Sequence, residues 1–375
     1  KISKEDMPFV TNVVYGVLRN HTYLEYQWRR HAKRTKVKTA LALDMAIYEL
    51  HFMQAKEYAV VNEMVNLVNK NEKNFVNAIL RKYIKEGWLE SDIPSIKYSH
   101  PDWLIGLWNA HYGKGDTLKI LEADQQIPRV YGRINPIRIT KEELAKDVHV
   151  HFIDDLSFTM DKPMQSSQYF KEGKIVIQNP SSIIPVRQLD LAENLQVLDT
   201  CAAPGTKTQL ISSFMHNTGH VIACDLYAQR CALIEQLMHR CGNTNVEAIV
   251  NDAAKPSFQK ESFDRILCDV PCSGLGDLSH KPEIRWHLKP EDLDAIVQIQ
   301  ATILEVSSTY LKKGGVLVYS TCTLNKKENT GQVKAFLEKH NDFTLVSEST
   351  VFPFEENRDG FYIAKLVKKT MNMVE

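Results

Sequence analysis

The sequence has no long hydrophobic run, no closely spaced cysteine pair and no net charge. No apolar stretch approaches the ~20 residues that a transmembrane helix needs, and the opening residues KISKEDMPFV lack the basic-then-apolar pattern of a signal peptide. Seven cysteines are spread over 375 residues without a CxxC pair, which argues against a disulfide scaffold and a zinc site. We therefore expect a cytoplasmic protein without a membrane segment or a bound metal.

The composition, with 43% hydrophobic and 25% charged residues, is typical of a globular protein. At 375 residues the chain is long enough for two or three domains. Because it begins with Lys1 instead of Met, we expect it to begin inside a longer protein or after a tag.

The zero net charge hides an uneven distribution. Residues 1–90 contain 15 Lys/Arg and 10 Asp/Glu, whereas the remainder contains 31 and 36. The segment WRRHAKRTKVK (28–38) is the most basic and lies next to aromatic residues, so it is a candidate contact for RNA phosphates. A solvated helix end without a partner remains an equally open interpretation. The candidate RNA contacts are Arg29, Arg30, Lys33, Arg34 and Lys36.

The spacing of apolar residues divides the chain into three parts. Three- and four-residue steps predict an all-helical domain at 1–90. Short β runs with helical pieces predict a small α+β linking region at 91–174. From 175 to 375, strand-like runs alternate with helices, which predicts a doubly wound, mostly parallel seven-stranded sheet with ligands at the strands' C-terminal ends. We expect the last two strands to pair antiparallel at an edge.

The loop after the first strand of this sheet has features of a cofactor site. In VLDTCAAPGTKTQL (197–210), small residues let the backbone approach a ligand, and the helix from Thr206 offers free N–H groups. Three acids, Asp225, Asp252 and Asp269, end the next three strands. The first stands where a carboxylate accepts hydrogen bonds from both ribose hydroxyls.

The missing motifs narrow the choice of cofactor. The glycine pattern GxGxxG, typical of NAD binding, and the pattern GxxxxGK[ST], typical of ATP binding, are both absent. S-adenosylmethionine is a nucleoside that carries a cation and no phosphate. It therefore fits an acid-lined pocket best.

Two strands of the predicted sheet end near a cysteine. Cys272 follows an acid in DVPC, where amino-group methyltransferases carry an aromatic residue, and Cys322 lies in STCT. A thiolate adding to C6 of a pyrimidine makes C5 nucleophilic, and an acid near N3, for which Asp269 is well placed, stabilises the adduct. The pair therefore indicates methylation at C5, with one thiol adding and the other helping release. Buried cysteines that only fill space are the alternative.

At these residues the chain resembles a known family. LDTCAAPGTKT, CDVPCSGLG, HKPEIRW (280–286), YSTCTLNKKEN and DGFYIAKLVKK look like the RNA 5-methylcytosine methyltransferases. VVYGVLR, AVVNEMVNLVNK and KNFVNAILRKY resemble the NusB-like helical domain found in some members. The resemblance covers nearly the whole chain, although the family usually has an additional helix or more before residue 1. It implies S-adenosylmethionine-dependent methylation of cytosine C5 in small-subunit ribosomal RNA.

Carried over by position, the resemblance assigns roles to single residues. It makes Cys322 the nucleophile, Cys272 the cysteine that assists product release, and Asp269 the contact to N3 of the base. Thr206 and Asn179 depart from the family, which commonly has Gly and Asp there. The implied S-adenosylmethionine contacts are Cys201, Ala202, Ala203, Pro204, Gly205, Thr206, Lys207, Asp225, Arg230, Asp252 and Asp269.

Other functions stay open at this point. The same reaction on transfer RNA is the nearest alternative, and a non-catalytic NusB-like RNA-binding scaffold is an alternative from another class. A small-molecule or protein methyltransferase is disfavoured by the paired thiols and the basic segment. We expect a monomer whose partner is ribosomal RNA.

Overall fold

The structure is a computed structural model that describes residues 2–3, 5–32, 34–355 and 358–370. The chain forms two compact units. The first comprises Lys1–Ile127 with Leu278–His287, and the second comprises Pro128–Asp277 with Leu288–Glu375. The first unit extends past the predicted boundary at 90, because the long helix after residue 101 packs with it, and the predicted boundary at 174 lies inside the second unit.

The first unit is all-helical, as predicted. Its core is formed by apolar side chains at three- and four-residue spacing, with Trp28, Leu43 and Leu80 fully buried. The Trp28 indole donates to Asp44, which is itself buried. The helices are α1 (Met7–Arg29), α2 (Val37–His51), α3 (Glu57–Leu67), α4 (Lys73–Glu86), α5 (Pro94–Lys97) and α6 (Asp102–Asp124).

The second unit begins with a small antiparallel sheet. Its strands are β1 (Gly132–Ile134), β2 (Val150–Phe152), β3 (Ser157–Met160) and β4 (Ile175–Ile177), in the order β2-β3-β1-β4. The short helices α7 (Lys141–Leu144), α8 (Gln168–Lys171) and α9 (Ile184–Arg187) connect this part of the chain. Strands and helices are therefore mixed here, as the sequence predicted.

The main sheet has the predicted seven strands in the order β10-β11-β9-β8-β5-β6-β7. All neighbours from β9 to β7 run parallel, and β11 pairs antiparallel with both β9 and β10. The last two strands thus pair at an edge, as expected. The strands are β5 (Gln196–Asp199), β6 (His220–Asp225), β7 (Val246–Val250), β8 (Phe263–Asp269), β9 (Leu311–Thr321), β10 (Phe343–Val351) and β11 (Phe361–Lys368).

Both faces of this sheet are covered, which explains its continuous apolar strands. In β9, Val316 and Val318 belong to one hydrophobic cluster, whereas Leu317 and Tyr319 belong to another. Successive side chains of a strand point to opposite faces, so each face has its own core. The helices of this region are α10 (Thr206–Phe214), α11 (Ala228–Cys241), α13 (Pro290–Tyr310) and α14 (Thr330–Leu337).

The segment Leu278–His287, which carries α12 (Ile284–His287), is anchored in the first unit. Arg285 is 1% exposed and donates to the carbonyl oxygens of Ser99 and Leu278. The Trp286 indole donates to the carbonyl of Leu18 at 2.8 Å. The HKPEIRW motif is therefore held by its arginine and tryptophan. Among the described residues, every helix is too short or too polar to cross a bilayer.

Candidate active site

The predicted cofactor residues gather at one edge of the main sheet. Strands β8, β5, β6 and β7 are parallel neighbours, so their carboxyl ends lie side by side. Asp269 ends β8, the loop 201–205 follows β5, and Asp225 ends β6. Asp252 comes two residues after β7. The topology thus brings all three acids and the small-residue loop to the edge where α/β sheets bind ligands.

The loop after β5 requires a glycine at its end. Gly205 has a φ of +99° and precedes the first residue of α10. A Cβ atom at this position would lie 3.2 Å from the Cα atom of Ile234. Thr206, which replaces the family's usual glycine, begins α10 and leaves the helix N-terminus in place.

Two of the three acids are paired with a basic residue that is close to them in sequence. Asp225 is 4% exposed; its carboxylate accepts from the backbone of Tyr227 and lies 3.5 Å from the Arg230 guanidinium. Asp252 pairs with Lys255 at 3.1 Å. The hydrogen bond from Lys255 lowers the pKa of Asp252, so this carboxylate is an acceptor at neutral pH.

Asp269 forms the closest ion pair of the site. Its Oδ2 lies 2.7 Å from the Lys207 ammonium, and its Oδ1 accepts from the Ser320 hydroxyl at 2.8 Å. Burial opposes the charge of Lys207, but the attraction of Asp269 outweighs it and raises the pKa of the ammonium. The pair joins the loop after β5 to the end of β8.

The thiols of Cys272 and Cys322 lie next to each other, as the sequence predicted. The Sγ atoms of Cys272 and Cys322 are 3.3 Å apart, and both residues are partly exposed. Cys322 follows β9 directly, Cys272 follows β8 by three residues, and these strands are parallel neighbours. The separation is hydrogen-bonding distance for a thiol pair and exceeds the ~2.05 Å of a disulfide bond. The hydrogen bond between the two thiols, together with burial, raises the pKa of the Cys272 thiol well above its ordinary value.

The other five cysteines are separate from this pair. Cys224, Cys231, Cys241 and Cys268 are buried, and Cys201 is partly buried in the loop after β5. Burial raises the pKa of Cys224 and of Cys268 to about 12. Buried neutral thiols of this kind are inert packing residues.

The sequence analysis missed two acids near this edge. Asp199, the last residue of β5, is 1% exposed and accepts from the Thr208 hydroxyl at 2.7 Å. Glu328 is fully buried behind the two thiols. Asp199 was visible as a fourth strand-end acid, but nothing in the charged run KKEN distinguishes Glu328 from a solvated side chain. The side-chain oxygen of Asn179 accepts from the backbone N–H of Ser181 and so caps the turn there.

Most of the basic side chains proposed to contact RNA are paired with carboxylates of the first unit. Arg29 forms two hydrogen bonds with Glu25, and Arg30 and Lys36 form ion pairs with Glu86 and Glu72. All three are exposed, as is Arg34. Lys33 lies outside the described residues. The described cations of this segment therefore lie on the surface of the first unit.

A mostly parallel seven-stranded sheet with an acid-lined carboxyl edge defines a methyltransferase of the Rossmann-like, S-adenosylmethionine-dependent class. Comparison with known proteins gives the family. Residues 186–367 match the family described as 16S rRNA methyltransferase RsmB/F, residues 1–85 match the NusB family, and residues 100–153 match the ferredoxin-like domain of RsmF/B-like methyltransferases.

Curated relatives match almost the entire chain. The probable ribosomal RNA small subunit methyltransferase B of Bacillus subtilis is 31% identical, over 98% of this chain and 92% of the relative. The ribosomal RNA small subunit methyltransferase B of Pectobacterium atrosepticum is 30% identical over the same shares. The chain belongs to the RsmB/F family of 16S rRNA methyltransferases. It is an rRNA methyltransferase whose cofactor is S-adenosylmethionine.

Solved structures share the fold. The crystal structure of PH0851 covers 98% of this chain and 91% of its own, with a TM-score of 0.81 at 23% identity. The crystal structure of NSun6 from Pyrococcus horikoshii with SFG covers 72% of this chain and 98% of its own, with a TM-score of 0.65 at 22% identity. The predicted fold class is confirmed.

The residues present suit S-adenosylmethionine. Asp225 provides a buried carboxylate, and the N-terminus of α10 has no side-chain cap within the described part of the chain; groups of these kinds bind a ribose and a carboxylate. The acids at the edge complement a cation.

Proposed function

We propose that the chain methylates C5 of a cytosine in small-subunit ribosomal RNA through a covalent bond between Cys322 and C6 of the ring. The observation that carries this proposal is the 3.3 Å separation of the Cys322 and Cys272 Sγ atoms at the ends of neighbouring strands. One thiol forms the bond, and the second lies where it can act as that bond is broken.

The chemistry of cytosine explains why a thiol is needed. C5 is too weakly nucleophilic to take a methyl group directly. When the Cys322 thiolate adds to C6, the C5–C6 double bond is lost and C5 becomes an enamine-like carbon. S-adenosylmethionine supplies the electrophilic methyl group. Water then takes the C5 proton, the electron pair of the C5–H bond re-forms the C5–C6 double bond as the S–C6 bond breaks, and Cys322 is regenerated as the thiolate, with Cys272 assisting this release.

Asp269 is the group proposed to contact N3 of the base. Electron density that moves into the ring when C6 is attacked accumulates at N3, so N3 takes up a proton and becomes a donor. The Asp269 carboxylate is fixed by the Lys207 ammonium and the Ser320 hydroxyl, which leaves its lone pairs in a defined direction. This arrangement favours a hydrogen bond from N3–H in the adduct.

The cofactor contacts follow from the strand ends. We assign Asp225 to the ribose hydroxyls, Asp252 to the adenine and the loop 201–207 to the methionine part. Arg230 lies 3.5 Å from Asp225 and also donates to the carbonyl of Ala203, so it fixes both contacts.

The RNA must present an unstacked cytosine. C5 and C6 are inaccessible in a base stack, so the target lies in a loop or single strand, or is flipped out. The 2′-hydroxyl distinguishes such RNA from DNA. The exposed basic residues Arg29, Arg30, Arg34 and Lys36, together with Lys33, are proposed phosphate contacts. We expect the protein to act as a monomer in the cytoplasm.

Trapping the adduct tests the proposal. Cys272→Ala should accumulate a protein–RNA adduct that survives a denaturing gel, whereas Cys322→Ala should form none. Cys241→Ala, a buried cysteine at the end of α11, is the matched control and should turn over without accumulating an adduct. Turnover by Cys322→Ala would refute the assignment of the nucleophile.

Two further measurements separate the alternatives. Transfer RNA offered in a parallel reaction should not be methylated. Calorimetry should detect S-adenosylmethionine binding, and its absence would favour a non-catalytic scaffold.

A further inference from the structure

Glu328 is a buried carboxylate in a loop whose sequence suggests exposure. It follows two lysines, yet it is 0% exposed. A charged group is buried at such a position only when hydrogen bonds replace its lost hydration. The side chain must therefore serve a purpose inside the fold.

Four donors surround this carboxylate. The backbone N–H of Ser273 and the amide of Gln300 each donate to Oε2 at 2.9 Å. The hydroxyl of Ser273 donates to Oε1 at 2.5 Å, and the amide of Asn325 donates to the same oxygen at 2.9 Å. Charge-assisted hydrogen bonds of this kind are stronger than those between neutral groups.

These donors lie on three different segments. Ser273 is the residue after Cys272, Asn325 is three residues after Cys322, and Gln300 lies in α13. Gln300 also donates to the carbonyl of Pro271, at the other side of Cys272. One carboxylate thus connects the loops that carry the two thiols and fixes both to a helix.

We propose that Glu328 is a positioning residue that holds Cys272 and Cys322 at bonding distance for the methyl transfer; this rests on the roles proposed above for the two thiols. Replacing its carboxylate by an amide puts an NH2 group against two of the four donors. This weakens one link between the two loops, which are otherwise joined by hydrogen bonds of the Ser273 hydroxyl with Thr323 and of the Gly276 N–H with the Cys322 carbonyl. Because a displacement of ~1 Å at reacting groups lowers a rate by about 100-fold, loosened loops slow catalysis without changing cofactor binding.

The charge of Glu328 also acts on the Cys272 thiol. The pKa of Cys272 is raised by its hydrogen bond with Cys322, by burial, and further by repulsion from Glu328. Cys272 is therefore kept as a protonated thiol, able to donate a hydrogen bond to the sulfur of Cys322. This state suits a residue that acts after the nucleophile.

The direct test measures how well the thiols are held together. In glutathione redox buffers, oxidation by glutathione disulfide joins Cys272 to Cys322 and reduces the oxidant to two glutathione thiols; mass spectrometry gives the fraction joined. Glu328→Gln should lower the effective concentration of one thiol at the other by more than about tenfold. The control is Glu338→Gln, at an exposed position just after α14, which should behave as wild type.

Kinetics provides the second readout. Glu328→Gln should reduce kcat by about 100-fold while the KM values for RNA and S-adenosylmethionine change less than about twofold. If this variant unfolds, Ser273→Ala decides, because it removes one hydroxyl donor and keeps the backbone donor. A three- to tenfold loss in effective concentration is expected there, on the order of one hydrogen bond.

The outcomes separate the two proposals. An effective thiol concentration unchanged by Glu328→Gln, or by Ser273→Ala where the first variant unfolds, overturns the positioning role whatever the activity. If only the proposed roles of the thiols are wrong, Glu328→Gln still lowers the effective concentration of one thiol at the other, but Cys322→Ala retains methylation activity. If only the positioning role is wrong, Cys272→Ala still traps the RNA adduct.

Discussion

Asp199 makes the second unit less stable as the pH rises. The residue ends β5, is 1% exposed, and its Oδ1 is buried without a hydrogen-bond partner among the described residues. Burial raises its pKa from 3.8 to about 7, against a hydrogen bond from Thr208 that lowers it. Between these two pH values the folded protein binds a proton that the unfolded chain does not, so stability is lost as pH rises through the folded pKa.

The size of the effect follows from the shift. One pKa unit corresponds to about 1.4 kcal/mol, so the loss between pH 5 and pH 7 is about 2 kcal/mol in the free energy of unfolding. Asp199→Asn removes this titration. The difference in the free energy of unfolding between this variant and wild type should therefore shift by about 2 kcal/mol in favour of the variant from pH 5 to pH 7. Any change in stability caused by the amide itself is the same at each pH.

Urea unfolding at pH 5, 6 and 7 measures this difference. All five tryptophans lie in the first unit, so circular dichroism must follow the transition instead of tryptophan fluorescence. Asp294→Asn, at an exposed site in the second unit, is the control and should track wild type at each pH. A constant difference between Asp199→Asn and wild type would refute the reasoning.

Three substitutions test other parts of the second unit. Asp225→Asn should weaken S-adenosylmethionine binding about 10- to 100-fold in calorimetry, because a charged acceptor for the ribose is lost; unchanged affinity would remove the ribose assignment. Arg133→Met should lower the free energy of unfolding by about 3 kcal/mol, since it leaves the side-chain oxygens of Gln178 and Gln209 without their buried donor. Gly205→Ala should lower it by about 1–3 kcal/mol because the backbone φ is +99°; a neutral result would show that the loop relaxes.

The sheet and the meeting of the thiols could be predicted because both follow from local patterns. Apolar strands alternating with helices specify parallel neighbours, and parallel strands bring their carboxyl ends to one edge. Cys272 and Cys322 each follow a strand, so their proximity required only that β8 and β9 be adjacent. Small-residue loops and strand-end acids predicted the candidate cofactor site in the same way.

The buried polar residues could not be predicted, because burial depends on segments far apart in sequence. Arg133 is fully buried and donates to Gln209, 76 residues away. Arg285 donates to the carbonyl of Ser99, 186 residues away. Read locally, each is a charged side chain that belongs at the surface. Glu328, between lysine and asparagine, was hidden for the same reason.

The identity of the methylated nucleoside is the most direct test of the central claim. Unmethylated small-subunit ribosomal RNA is incubated with the protein and methyl-labelled S-adenosylmethionine, then digested to nucleosides and separated by mass spectrometry. The account predicts labelled 5-methylcytidine with wild type and none with Cys322→Ala. Label in N4-methylcytidine or in a 2′-O-methylated nucleoside, or label that persists with Cys322→Ala, would contradict it.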